Sequence, residues 1–545
     1  MGEAGPSRAM LSRRYDRNPS RRTKGWCTEC FPAHGFPSSL FLLALAACLL
    51  FTGCGERHRD PNTLVFLLQS SPTNLDPRVG TDEGSEHIDE LLFDGLVRVD
   101  RAFHFEPALA ASWEQPDART LIFHLRDDVK FADSEPLTAR DVVWTMESMG
   151  IGGHQAAVIS PKAASYASVD TVQAPDAHTV VFHLKHADNF LLTNLSTGAI
   201  GIVPYGSGRD FWRHPMGSGP FRFVSQRIDQ DVVIERNPES WSVAPKIARV
   251  RFAVVPDAIT MSLELEKGSA DVEIDSVPMD ALPVLAKRSN LVVEDAAGTE
   301  VQYLEFNMRD PLLSDLRVRQ AIAFSIDREL MIRTLLCGHA RIASSLLPTG
   351  HWAWSGDVAR YAYDPARAEA LLDAAGYRRG ADGVRFHLTM KTSTDESTRL
   401  VAAVMQQELA RVGIALDLRS NEFATFYADV VHGAFQMYSL KWVGIKGPDI
   451  YSYAFSQGDF PPRGANRGYY VNARLDALLD DAAANPDTAR RRAEYVEVQQ
   501  ILARDLPAFN LWYLDTVVVH SRRLTNVIPS PTGSYAFLET AEFAP

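Results

Sequence analysis

Beyond about residue 60 the chain is divided into short apolar runs that stop at turn residues. The run TLVFLLQ, Thr63 to Gln69, has strand length and is followed by the turn-rich SSPTNLDP, Ser70 to Pro77. TLIFHLR, Thr120 to Arg126, alternates apolar with polar positions between Pro116-Asp117 and Asp127-Asp128, the pattern of a half-buried strand. TVVFHLK, Thr179 to Lys185, repeats it. Helical spacing predicts a segment from His87 to Leu96. Thr138-Ala-Arg-Asp141 has the spacing of a capping box. Asp364-Pro365 places a capping acid before a proline, with Gly376 as the stop after Leu371, Leu372 and Ala375. A further helix is predicted from Asp487 to about Ala503, with Tyr495, Val498, Gln499 and Leu502 on one face and Pro507 beyond it. Strands and helices interleave irregularly, so a mixed α/β chain with several lobes is expected. No short-period repeat or low-complexity linker interrupts it.

The pattern changes toward the N-terminus. Basic residues in RRTKG precede FPSSLFLLALAACLLFTG, Phe36 to Gly53, which stops at Cys54 and polar GERHRDPN. A basic region, a short apolar run and small residues before a cut define an export signal, here residues 1–53. FTGC ending at Cys54 is similar to a lipobox, whose cysteine is acylated; LAAC ending at Cys48 is the alternative acylation site. An uncleaved membrane anchor is the competing reading. Acyl chains, each CH₂ contributing about 0.8 kcal/mol, would tether a body that is otherwise polar outside.

Length and charge narrow the picture. A chain of 545 residues exceeds what one hydrophobic core serves. Net charge is −13, and residues 1–53 hold seven Lys or Arg against three acids, so the remainder is more acidic than the whole. Such a surface repels nucleic acid phosphates and anionic headgroups, and no nucleic-acid partner is expected. Four of the five cysteines fall within the first 54 residues, leaving Cys337 without an internal partner. Cys27 and Cys30, CTEC, precede the predicted cut. The histidines are scattered, with no G-x-S-x-G, H-E-x-x-H or Walker spacing, so neither catalysis, cofactor nor metal is expected.

A set of spaced blocks carries the functional signal. They are Pro107, Leu109, Ala110 and Trp113; Phe123, Leu125, Arg126, Val129 and Phe131; and Pro136, Leu137, Ala139, Asp141 and Val142. Further on come GSGPF from Gly217, ERNP from Glu235 with Trp241, Phe306-Asn307, VRQA from Val318, IDR from Ile326, and Tyr363-Asp-Pro365 with Ala375-Gly-Tyr377. Together these resemble the oligopeptide/dipeptide-binding family of extracellular solute-binding proteins (family 5), across most of residues 63–520. Each residue alone has a structural reading; the joint spacing does not. Ser134 departs from the family's glycine, and strain follows there if φ is positive.

The resemblance implies an α/β fold of the periplasmic-binding-protein type II kind, three-lobed with an interlobe ligand cleft. Lobe I would comprise 54–86, 215–300 and 512–545, lobe II 87–214, and lobe III 301–511. It implies a monomeric lipoprotein on the periplasmic or extracytoplasmic face, binding peptides or another small solute for ABC permease and ATPase subunits. The ligand would pair as an added strand. One departure matters: family peptide binders carry W-x-x-D, whose acid pairs with the ligand ammonium, and the matching position after Trp442 is Ile445. That favours, as alternatives, an oligosaccharide, an opine or a metal chelate. A secreted hydrolase or a sensory module is the reading from other classes. The expected ligand-binding residues are Trp442, Gly444, Ile445, Asp449, Asn466, Arg467 and Tyr469, with Arg463 a further candidate for holding a carboxylate. Trp442 as a cleft wall competes with ordinary packing, and Asp449 as the ammonium partner competes with a capping role.

Overall fold

The computed structural model describes residues 60, 62–242 and 244–544. The predicted leader, with Cys27, Cys30, Cys48 and Cys54, lies outside the described residues. No described helix is long and apolar enough to cross a membrane.

The predicted strands form with the expected faces. Thr63–Leu68 is almost wholly buried, whereas Thr120–Leu125 and Thr179–Leu184 bury alternate side chains and pair antiparallel with each other. Ala110–Asp117, Thr120–Leu125, Thr179–Leu184 and Val169–Gln173 make a four-stranded sheet, in that order. It has its own core, in which Phe123 and Phe182 meet edge to face at 5.7 Å. Each such ring contributes about 2–3 kcal/mol by leaving water.

Among the described residues the largest sheet has 11 strands. Its path runs from Ile414–Asn421 through Phe386–Ser393 and Met437–Trp442 to the long strand Leu291–Phe306. That strand pairs with Ala508–Ser521, on which Ala340–Ile342 also pairs off the path, and the path continues through Val272–Ile274, Thr63–Leu68, Arg249–Val254 and Asp231–Arg236 to Phe221–Arg227. The long strands are antiparallel, with register shifts between Ala296 and Glu300 and between Gln302 and Tyr303. Separate apolar clusters lie along this sheet, two built from residues 301–513 and two mainly from 64–93 and 203–293 with 517–541.

Helix ends follow the capping chemistry, with one shift. The segment expected at His87 to Leu96 is Glu83–Leu92, four residues earlier, because Asp82 accepts the Ser85 N–H at 3.0 Å and so starts the helix. The Asp141 carboxylate accepts the N–H (2.8 Å) and hydroxyl (3.0 Å) of Thr138. Pro365–Ala374 starts with Asp364 accepting from the Arg367 N–H at 2.9 Å, and Gly376 follows at φ +91°. Thr488–Asp505 starts with Asp487 and buries Tyr495, Val498, Gln499 and Leu502.

The motif blocks close backbone groups in the interior. A Cβ at Gly217 would stand 2.0 Å from the Leu92 carbonyl oxygen, so only glycine lets this turn meet the helix end. Beside it, the buried Asp94 accepts from Ser218 Oγ at 2.8 Å and Trp241 Nε1 at 3.0 Å. Asn237 donates to the Gly219 carbonyl at 2.8 Å. Buried Arg319 donates to the carbonyls of Leu506 (2.9 Å) and Leu313 (2.6 Å), and buried Arg328 to those of Asn510 (2.8 Å) and Tyr361 (3.0 Å). These orphan carbonyls would otherwise be costly.

Ser134 has φ +76°, in the left-handed region, where the family has glycine. The cost for an L-residue is roughly 1–2 kcal/mol, partly offset by the extra chain entropy that glycine loses on folding. Ser134→Gly is therefore expected to stabilise the fold by up to about 1 kcal/mol, read as a higher urea midpoint. An unchanged or lower midpoint would contradict the strain.

Candidate ligand-binding cleft

The middle of the long strand pair forms the floor of a cavity of about 1800 Å³. Thr299 and Glu300 come from one strand, Leu514, Asp515 and Thr516 from the other, and Asp275 from the end of the adjoining strand Val272–Ile274. One wall is the helix Glu83–Leu92, with His87 and Glu90 facing in, together with the loop around Phe103 and the segment at Phe190. The opposite wall is Lys441 to Pro448 with Trp352, Arg491 and Arg492. The volume exceeds the roughly 300–1,000 Å³ typical of small-molecule pockets, so there is room for an extended solute.

Chemically the lining is mixed. Trp113, Trp352, Phe103, Phe105, Phe190 and Phe537 offer stacking surfaces. Ten carboxylates face six Lys or Arg, so the lining is acidic like the chain as a whole. Much of this charge is already matched. Lys441 Nζ lies 3.1 Å from Glu300, and Arg341 Nε lies 3.0 Å from Asp515. Burial pushes Asp515 up to about 6, against the pull of Arg341. Glu90 accepts from Ser534 Oγ at 2.8 Å and the Tyr535 N–H at 2.6 Å.

Among the described residues, contacts join the walls. Asn189 Nδ2 donates to the carbonyls of Ala483 (2.6 Å), Ala482 (3.3 Å) and Asn485 (3.2 Å), at the end of the helix Ala473–Ala484. Terminal helix carbonyls lack intrahelical donors, and the amide supplies one. Elsewhere the Phe103 ring lies 5.1 Å from buried His351. Burial pushes His351 down to about 4, only partly opposed by a backbone hydrogen bond at Lys446. The Ala353 N–H donates to His351 Nδ1 at 3.1 Å, which fits the neutral ring.

The residues expected from sequence divide between cleft and interior. Gly444, at φ +68°, lines the cleft. Trp442 does not: its ring stacks on Tyr303 at 5.6 Å and 15°, with the Arg467 guanidinium 5.2 Å from its centroid. Side chains alternate along a strand, so Lys441 takes the cleft face and Trp442 the other. Ile445 is 4% exposed and belongs to the apolar cluster with Tyr303 and Tyr438. Asp449 precedes the helix Ile450–Phe455 at its N-cap. Asn466 is wholly buried, donating to the carbonyls of Phe455, Ser456 and Tyr470 and accepting from the Tyr470 N–H. Arg467 donates to the hydroxyls of Tyr427 (3.0 Å) and Tyr303 (3.3 Å). Tyr469, at φ +58°, carries the Arg309 guanidinium 3.3 Å from its ring centroid. Arg463 is exposed, outside the cleft lining. Trp442, Ile445, Asn466 and Arg467 thus build the wall's support, while Lys441, Lys446, His87, Asp275 and Asn189, none of them expected from sequence, face the cavity.

Residues 104–460 match the sequence model of the bacterial extracellular solute-binding proteins, family 5 (middle part). The fold is that of the type II periplasmic binding proteins. The chain belongs to that family, whose members work outside the cytoplasm. It is 25% identical over 508 residues to the di/tripeptide-binding protein 1 of Pseudomonas aeruginosa, covering 88% of this chain and 94% of that protein. The structure of HbpA2 from Haemophilus parasuis superposes with a TM-score of 0.79 at 23% identity, over 89% of this chain and 100% of that one. NikZ from Campylobacter jejuni, solved with Ni(L-His), gives 0.70 at 23% identity, over 88% and 99%.

Glu305 is buried beside Arg467, and burial pushes it up to about 8, although Arg467 and the Gly468 N–H draw it down. The folded protein therefore holds this proton more tightly than the unfolded chain does. The group's contribution to stability is complete below about pH 4.5 and is lost as pH rises toward about 8. Glu305→Gln keeps an acceptor for Gly468 and is expected to flatten the fall in urea midpoint between about pH 5 and about pH 8. A curve parallel to that of the unaltered protein would exclude an uncharged Glu305.

Proposed function

We propose that this protein is the substrate-binding component of an ABC importer, capturing peptides or peptide-like solutes outside the cytoplasm and releasing them chemically unchanged. The observation that carries this reading is the cleft itself: its large cavity lies between walls with separate cores, joined by crossing strands. Binding energy gathered from both walls would hold them shut on the solute. The name of the Pseudomonas relative supports a peptide, and the aromatic and hydrogen-bonding lining suits varied side chains. In this reading residues 54–86, 215–300 and 512–545, residues 87–214, and residues 301–511 act as three lobes. A lipid on Cys54 would hold the monomer near its permease and ATPase partners.

A second reading, a non-peptide solute such as a metal chelate, is favoured by one observation. Ile445 faces the interior where the family's peptide binders place an acid, so that route to a free amino terminus is closed. The nickel–histidine complex held by NikZ is the kind of solute meant.

Trp113 and Trp352 line the cavity, so a bound solute is expected to change intrinsic fluorescence. Titration with a library of short peptides should give saturable binding with a smaller radius of gyration by X-ray scattering. Absence of saturable binding to every peptide would defeat the peptide reading, and turnover of a bound peptide would defeat the transport reading.

A further inference from the structure

If the solute carries a positive group, a carboxylate of the cleft must meet it, since a buried ammonium without a counter-charge is costly. The acid following the tryptophan is absent, and Ile445 points into the apolar cluster. Of the acids in the lining, Glu300 is engaged by Lys441, Asp515 by Arg341, Asp94 by Ser218 and Trp241, and Glu90 by Ser534 and Tyr535. Asp275 is differently placed. Its Oδ1 accepts the Val517 N–H at 2.7 Å, and its own N–H donates to the Val517 carbonyl at 3.0 Å. This reciprocal pair clamps both backbone and carboxylate to the strand Ala508–Ser521, on the cavity floor. The clamp uses φ +51°, a conformation aspartate tolerates better than most residues. Among the described residues Oδ2 has no hydrogen-bond partner. One oxygen is thus fixed by the scaffold, and the other is without a partner on an exposed residue that lines the cavity.

The surroundings favour a cation. Glu83 and Glu300 act on Asp275 from the facing elements, Glu273 from its own strand and Tyr535 from the C-terminal segment, while Lys441, already bound to Glu300, is the nearby base. Asp275 is exposed on the cleft floor, and the surrounding protein, then Glu300 and Glu83, raise its carboxyl against the Val517 hydrogen bond and Lys441. Glu539 also lines the cavity, but among the described residues no hydrogen bond fixes its carboxylate, so it lacks the preorganisation that the clamp gives Asp275.

We infer that Asp275 is the specificity-determining residue of the cleft and receives the ammonium or guanidinium group of the solute through Oδ2. This inference rests on the reading of the cleft as the solute site and narrows that solute to a cationic class.

Calorimetric titration of the full chain tests it with tri-alanine, N-acetyl-tri-alanine and putrescine, on the unaltered protein, D275N and E539Q. Asparagine keeps an acceptor for the Val517 N–H. Tri-alanine is expected to bind about tenfold or more tighter than its acetylated form, with the difference abolished in D275N and kept in E539Q. A preference that survives D275N, or vanishes only in E539Q, overturns the role of Asp275 and leaves the proposed function standing. Equal binding of both tri-alanines overturns the cationic class and the role of Asp275 together, and leaves the proposed function standing. Putrescine binding that depends on Asp275, without peptide binding, upholds this inference and defeats the peptide reading; no binding of any probe defeats both. Should D275N not fold, D275S, which also removes the charge, is titrated in its place, and a preference for tri-alanine that survives it overturns the role.

Discussion

Every backbone amide and carbonyl taken from water must be paired again, and here that demand falls most heavily on two strands. Leu291–Phe306 and Ala508–Ser521 pair antiparallel almost end to end, and each also hydrogen-bonds a further strand. Removing them would separate Met437–Trp442 and its neighbours from Thr63–Leu68 and its neighbours. The cavity floor lies where the register of this pair shifts, between Ala296 and Glu300. A bulge bends a strand and turns its side chains, so the irregularity that interrupts pairing also aims Thr299 and Glu300 into the cleft. Gly298 is part of this arrangement, because a Cβ there would stand 2.1 Å from the Leu514 carbonyl oxygen.

The family blocks acquire a common physical meaning in the structure. Gly217, Asn237, Trp241, Arg319 and Arg328 contribute little to the cavity and much to closing polar groups beneath it. A shared scaffold with differing solutes follows naturally, since the spaced motifs specify knots of hydrogen bonds and leave the lining free to vary.

Alternation and capping made much of the secondary structure legible. Thr120–Leu125, Thr179–Leu184 and the helices starting after Thr138, Asp364 and Asp487 follow from local chemistry, and Ser134 was marked by the glycine it replaces. The helix beginning after Asp82 was placed late because its cap lies within a polar stretch without a hydrophobic run to mark it. The site was far less legible. Trp442 and Arg467 look like ligand-binding residues by type, yet Trp442 stacks on Tyr303 with the Arg467 guanidinium over its ring, and Arg467 donates to the Tyr303 hydroxyl, because the pleat turns Trp442 away from the cavity. Asp275 and Asn189 carry no local signal at all; their significance arises from strands and helices more than two hundred residues away in the chain.

The inward orientation of Ile445 also limits redesign. Writing an aspartate at that position would restore the family spelling of the segment, but the new carboxylate would enter an apolar cluster instead of the gap between the walls. Conversion of this protein to another cargo thus begins with the course of the loop's main chain, and only afterwards with the letters placed upon it.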